Sequence, residues 1–155
     1  MRRFKLLPSS FGAVLALGAI LNASVYPSVC QAQSTVAAVL DAGGKLLSKT
    51  ELSALLKDVT LNNRNEQNAR LMTSLKANGT LTGRGISSTM HEFTFYGDWK
   101  TTDANQICFD TVNHFGRSGY CEVMYKVGDK YFYASDPAGA ISREHKVFER
   151  TVSKP

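Results

Sequence analysis

The sequence predicts a small α+β domain: an N-terminal helix or helices packed on a curved, mainly antiparallel β-sheet, barrel-like if it closes, with one disulfide. Three observations predict it. Ser48-Lys49-Thr50-Glu51 is a helix-start signature followed by a leucine stripe. From about Arg70 the apolar period changes from helical to two. Cys108 and Cys121 form an even pair in a chain that begins with an export signal.

The export signal comes first. Met1-Arg2-Arg3-Phe4-Lys5 is a short basic start, and Phe11 to Leu21 is an uncharged, largely apolar run. That run is short for a membrane span and no stop-transfer pattern follows it. Cys30-Gln31-Ala32 offers small residues at the two positions a signal peptidase reads, which predicts cleavage after Ala32. Residues 1–32 are thus expected to be removed and residues 33–155 to form one domain, periplasmic or secreted, with no membrane span left. A retained anchor is the weaker alternative. So is lipidation of Cys30, because Pro27-Ser28-Val29 lacks the leucine that a lipoprotein signal wants.

Cleavage changes the charge argument. The chain has 18 Lys and Arg against 13 Asp and Glu, a net of +5. Arg2, Arg3 and Lys5 leave with the signal, so 15 bases face 13 acids, a net of +2. The bases that remain are spread singly, which argues against a nucleic-acid partner.

The helical part is short. Ser34 can cap Thr35 to Ala42, which ends at Gly43-Gly44. Ser48 and Glu51 form a capping box, with Leu47 and Leu52 at the staple positions. Leu52, Leu55 and Leu56 make an apolar stripe that should stop near Lys57-Asp58. The polar stretch 62–68 is expected to be a loop.

The strands follow. Arg70 to Lys76 leads into the turn dipeptide Asn78-Gly79. Thr80 to Ser87 is expected to be weak or bulged because it holds Gly83 and Gly85. His91 to Trp99 alternates cleanly, with Phe93, Phe95, Gly97 and Trp99 on one face. Thr102 to Asn105 is a turn, Ile107 to Thr111 a strand, and Gly116 to Gly119 another turn. Tyr120 to Val127, Gly128-Asp129 and Lys130 to Ser135 form the best hairpin, and His145 to Val152 adds a last strand.

Two registers can be tested. A hairpin symmetric about His114-Phe115 sets Cys108 opposite Cys121. Opposed non-hydrogen-bonded residues lie roughly 4.5 Å apart at Cα, within disulfide reach. A two-residue Gly128-Asp129 loop pairs Val127 with Lys130, Tyr125 with Phe132 and Val123 with Ala134. Both faces of that hairpin are then substantially apolar. Either the leucine helix covers the second face, or the sheet curls, or a ligand uses it.

Gly97-Asp98-Trp99, Cys108-Phe109-Asp110, Tyr120-Cys121 and the Val-Gly-Asp-Lys-Tyr turn at 127–131, after a capped leucine helix, resemble a family. It is the domain of unknown function 995 family of small exported bacterial proteins. The resemblance runs from about Leu47 to Tyr133. It implies an α+β domain in the bacterial envelope and brings no catalytic assignment.

Catalytic groups are scarce. His91, His114 and His145 sit in no elbow or triad motif. Cys108, Cys121 and His114 make a poor zinc pattern. Gly83-Arg84-Gly85 lacks the lysine and later glycine of a phosphate loop. Asn78-Gly79-Thr80 matches a glycosylation acceptor, but its turn role explains it. No catalytic, cofactor or metal residue is therefore assigned. Trp99 is expected in the core next to the disulfide. Tyr96, Tyr131 and Tyr133 are the candidate binding surface, although parity sets Trp99 and Tyr96 on opposite faces. The functional expectation is a non-enzymatic envelope protein that binds a protein or a small apolar ligand. The alternative is a hydrolase-type enzyme with an unrecognised site.

Overall fold

A computed structural model describes residues 35–135 and 141–154. The expected leader, its cleavage site and Ser34 lie outside the described residues. Gln31–Pro155 forms a compact unit of its own.

Two short helices and nine strands are described. They are α1 (Val36–Asp41), β1 (Lys45–Leu46), α2 (Lys49–Leu55), β2 (Val59–Arg64), β3 (Arg70–Leu75), β4 (Thr80–Ile86), β5 (Glu92–Thr101), β6 (Ile107–Asn113), β7 (Gly116–Val127), β8 (Lys130–Ser135) and β9 (Phe148–Ser153). The unit is thus mostly β, and α+β overstates its helix. β2 to β9 each pair antiparallel with the next strand, and β9 returns to pair with β2. The sheet closes into an eight-stranded barrel, which leaves no free edge around the ring. β1 adds a short ladder to the far end of β7.

Closure answers the two apolar faces of the β7–β8 hairpin. One face is the lumen. Met124 and Tyr133 lie in its buried cluster with Leu61, Leu75, Leu81 and Ile107, joined by Leu52 of α2 and Leu56 at its C-cap. The other face points out of the barrel. There Val123, Tyr125, Phe132 and Ala134 share a second buried cluster with Val36 and Val39 of α1. The capping box at Ser48 and Glu51 forms in full. The first helix is capped by Thr35, whose hydroxyl accepts from the Ala38 amide.

Three strand expectations need correction. The asparagine-rich stretch is not a loop throughout: β2 runs to Arg64, and Asn62 and Asn63 are ladder residues. Barrel closure gives those residues partners on both sides, β3 and β9, which propensity does not foresee. The segment from Gly116 to Gly119 is strand, not turn. The turn is His114-Phe115, flanked by the pair Asn113 and Gly116. β4 is a regular strand. Its Gly83 and Gly85 point inward, opposite Phe95 and Phe93. A Cβ at Gly83 would lie 2.1 Å from the Phe95 ring, and one at Gly85 2.3 Å from the Phe93 ring. The glycines make room for the aromatic face of β5.

Both test registers hold. Cys108 pairs with Cys121 across β6 and β7, joined by a disulfide at a Cα separation of 4.0 Å. Val127 pairs with Lys130, Tyr125 with Phe132 and Val123 with Ala134. The disulfide and Trp99 do not share a face, however. Trp99 pairs with the lumen residue Phe109, whereas Lys100 pairs with Cys108, so strand alternation turns the disulfide outward. Trp99 packs partly against the lumen cluster. Its indole N–H donates to the Lys76 carbonyl at 3.0 Å, which ties it to the β3–β4 turn.

Candidate functional site

Strand direction divides the barrel into two halves. The connections β3–β4, β5–β6 and β7–β8 lie at one end, as does α2, whose Lys49 ion-pairs with Asp103 of the β5–β6 turn at 2.7 Å. That half of the lumen is filled with Leu52, Leu56, Leu75, Leu81, Ile107 and Met124. The connections β2–β3, β4–β5 and β6–β7 lie at the other end. There the lumen holds a cavity of about 410 Å³ that reaches Asn65, Gln67 and Asn113 near its mouth. Its wall is aromatic on one side, with Phe93, Phe95, Phe109 and Tyr120.

Two charged side chains, Glu122 of β7 and Arg150 of β9, form the deep polar part of this wall. They are 1% and 5% exposed. Both carboxylate oxygens accept from the guanidinium: Nη1 bonds Oε1, and Nη2 bonds Oε2 at 3.1 Å. The guanidinium carbon lies 4.0 Å from the centre of the Tyr133 ring, a cation–π stack. Tyr133 is fixed in turn. Its hydroxyl donates to the Arg64 carbonyl at 2.8 Å and accepts from Asn63 Nδ2 at 3.0 Å. Arg150 Nε is buried with no hydrogen-bond partner.

The electrostatics follow from burial. Burial pushes the Glu122 carboxyl up from its ordinary value, and the nearby guanidinium pulls it back. Burial also disfavours the Arg150 charge, but Glu122 outweighs this and holds the guanidinium above its usual value. The arginine's direction governs the pair: a charged guanidinium bonding both oxygens keeps the carboxylate ionised beside it. Burial likewise pushes the Tyr133 phenol up to about 12. The Tyr120 phenol is also raised, first by burial and then by the Glu122 charge.

The predicted tyrosine surface divides between two sides of the wall. Tyr133 lines the cavity and Tyr131 packs partly against the lumen cluster. Tyr96 lies outside the barrel and is 62% exposed. Its neighbours Phe95 and Gly97 pair with the inward Gly83 and Leu81, so alternation turns Tyr96 out. The three therefore do not form one surface. The histidines lie elsewhere: His145 Nδ1 accepts from the Ser142 amide at 2.8 Å, and His114 stacks on Phe115. Glu122 and Arg150 were not singled out from sequence. A signal for one was present: the Gly128-Asp129 register puts Glu122 on the face of Met124 and Tyr133, an acid on an apolar face. Arg150 had none, because its partner comes from a strand 28 residues away.

No protein-family model, no curated protein and no solved structure matches this chain.

Proposed function

We propose that this is a non-enzymatic binding barrel of the bacterial envelope that holds one small, largely apolar ligand in its half-empty lumen. The observation that carries the reading is the asymmetry of the interior. An eight-stranded barrel is just wide enough for side chains to fill it or for one small ligand. Here one half is filled and the other keeps about 410 Å³, within the range of small-molecule pockets. In this reading α2 is the stopper of the filled end, through Leu52 and Leu56. The aromatic wall supplies apolar contact, and the Glu122–Arg150 pair supplies a fixed polar floor for a ligand's polar group.

The pair also separates this reading from the hydrolase alternative. A general acid or base needs a free proton position aimed at a substrate. Both Glu122 oxygens are already committed to Arg150. The exported, disulfide-bearing setting is part of the same proposal, and fits the resemblance to the domain of unknown function 995 family.

The test is a titration of residues 31–155 with the apolar fluorophore N-phenyl-1-naphthylamine. One probe per chain should bind, with enhanced emission. Ser118 lies on the cavity wall at a solvent-exposed position. Ser118→Phe should therefore abolish probe binding while leaving the circular dichroism spectrum unchanged. Absence of binding by the unaltered chain, or equal binding by the variant, would overturn the proposal.

A further inference from the structure

The open end of the barrel carries two large apolar side chains exposed to water. Met90, in the β4–β5 turn, is 78% exposed. Phe115, in the β6–β7 turn, is 83% exposed. They are the two most exposed large apolar residues among the described residues, and both connections lie at the end where the cavity opens. Met90 is also held at a φ of +65°, with its amide donating to the Ser87 carbonyl. That left-handed position suits glycine or asparagine, and a water-exposed turn suits a polar residue. Methionine satisfies neither preference. Unfavourable local choices of this kind cluster at functional surfaces.

A second feature shares this end. A groove of about 910 Å³ runs from the ends of β2, β3 and β4 to His114 beside the Phe115 turn. Arg64, Arg70 and Arg84 line it, against the one carboxylate Glu92. All three arginines are exposed, and among the described residues none has an acidic partner within ion-pair distance. Arg64 and Arg70 face each other directly across β2 and β3, a like-charge pairing that weakens a sheet unless an anion lies over it.

We infer that the open end is a docking surface for an anionic phospholipid bilayer. Met90 and Phe115 enter the boundary between head groups and acyl chains, and Arg64, Arg70 and Arg84 lie against the lipid phosphates. Apolar side chains with flanking bases are the combination that holds a protein at such an interface without spanning it. The arginines choose the partner. An apolar protein groove would accept Met90 and Phe115 but would leave three charges unmatched. The surface rests on residues other than the Glu122–Arg150 floor, so it stands or falls apart from the ligand reading. If both hold, the ligand passes between bilayer and lumen without crossing water.

The experiment is vesicle co-sedimentation of residues 31–155. Vesicles containing phosphatidylglycerol should retain the protein, and vesicles of phosphatidylcholine alone or high salt should release much of it. Met90→Ser with Phe115→Ser should weaken partition by about a hundredfold, roughly tenfold for each buried apolar side chain. Arg70→Gln with Arg84→Gln should abolish the preference for anionic lipid. The four positions are exposed, so the variants should keep the fold. An environment-sensitive dye at Met90→Cys should shift to the blue with vesicles, while the same dye at Asp129→Cys, at the opposite end, should not. Equal partition of the tip variant, a dye response at both ends, or retention by an envelope protein in place of vesicles would overturn the inference.

Discussion

Glu122 and Arg150 are two buried charges in the cavity wall, among aromatic side chains such as Phe95, Phe109 and Tyr133. Taking them out of water costs several kcal/mol for each ion, and their mutual attraction offsets that only while both remain. Removing one should therefore be worse than removing both. Arg150→Met alone should destabilise by about 3–5 kcal/mol, because it strands the carboxylate. Glu122→Gln should also destabilise, by leaving the guanidinium without its counter-charge. The double variant Glu122→Leu/Arg150→Met should recover most of the loss, measured by urea unfolding of all three. A double variant as unstable as the sum of the singles would mean that the pair does not act as a unit. Tyr133 adds a connection: its ring covers the guanidinium, and its hydroxyl ties β8 to Arg64 at the end of β2. A polar cluster spanning β7, β8, β9 and β2 thus lies where the last strand meets the first and the ring shuts.

At the scale of elements, the hairpins were more legible than the ring they form. Gly128-Asp129 sets the β7–β8 register by loop length alone, and the cysteine midpoint sets the β6–β7 register by symmetry. Both are local devices with a period-two consequence, so a sequence can carry them whole. β2 was not legible, because Asn62 and Asn63 have poor strand propensity and pair only once β3 and β9 are beside them. Gly83 and Gly85 misled for a related reason. Their role depends on Phe95 and Phe93, which belong to the next strand. The disulfide is the strongest element-level test. It closes a loop of about 14 residues, which in the chain-entropy model is worth roughly 3 kcal/mol. Cys108→Ala/Cys121→Ala should lower unfolding stability by about that amount. Because the disulfide points out of the barrel, N-phenyl-1-naphthylamine affinity should be unchanged in buffer without denaturant. Lost probe binding in a folded variant would place the bridge closer to the cavity than strand alternation does.

Across the whole molecule, ring closure buries the Tyr133 phenol, which an open sheet would leave wet, and this gives the barrel an alkaline limit. Tyr133 is raised from 10.0 to about 12, first by burial, and the Tyr120 phenol is raised by burial and then by the Glu122 charge. In the unfolded chain both phenols ionise near pH 10. The folded state therefore holds protons that the unfolded chain has released. For groups raised in this way the stabilisation is complete below about pH 10 and is lost as pH climbs through the native value, about 12 for Tyr133. The linked loss is up to about 3 kcal/mol for Tyr133 alone. The carboxylates with lowered values, Asp103 beside Lys49 and Asp110 beside Arg117, have already titrated in this window and contribute no slope there. Two measurements should agree. Phenolate absorbance of the folded protein should keep rising well past about pH 10 as Tyr133 and Tyr120 ionise, and urea midpoints should begin to fall near pH 10. Tyr133→Phe should flatten that fall without removing it, since Tyr120 still contributes. A barrel whose urea midpoint stayed level across the same window would show that water reaches these phenols, and with them the polar floor of the lumen.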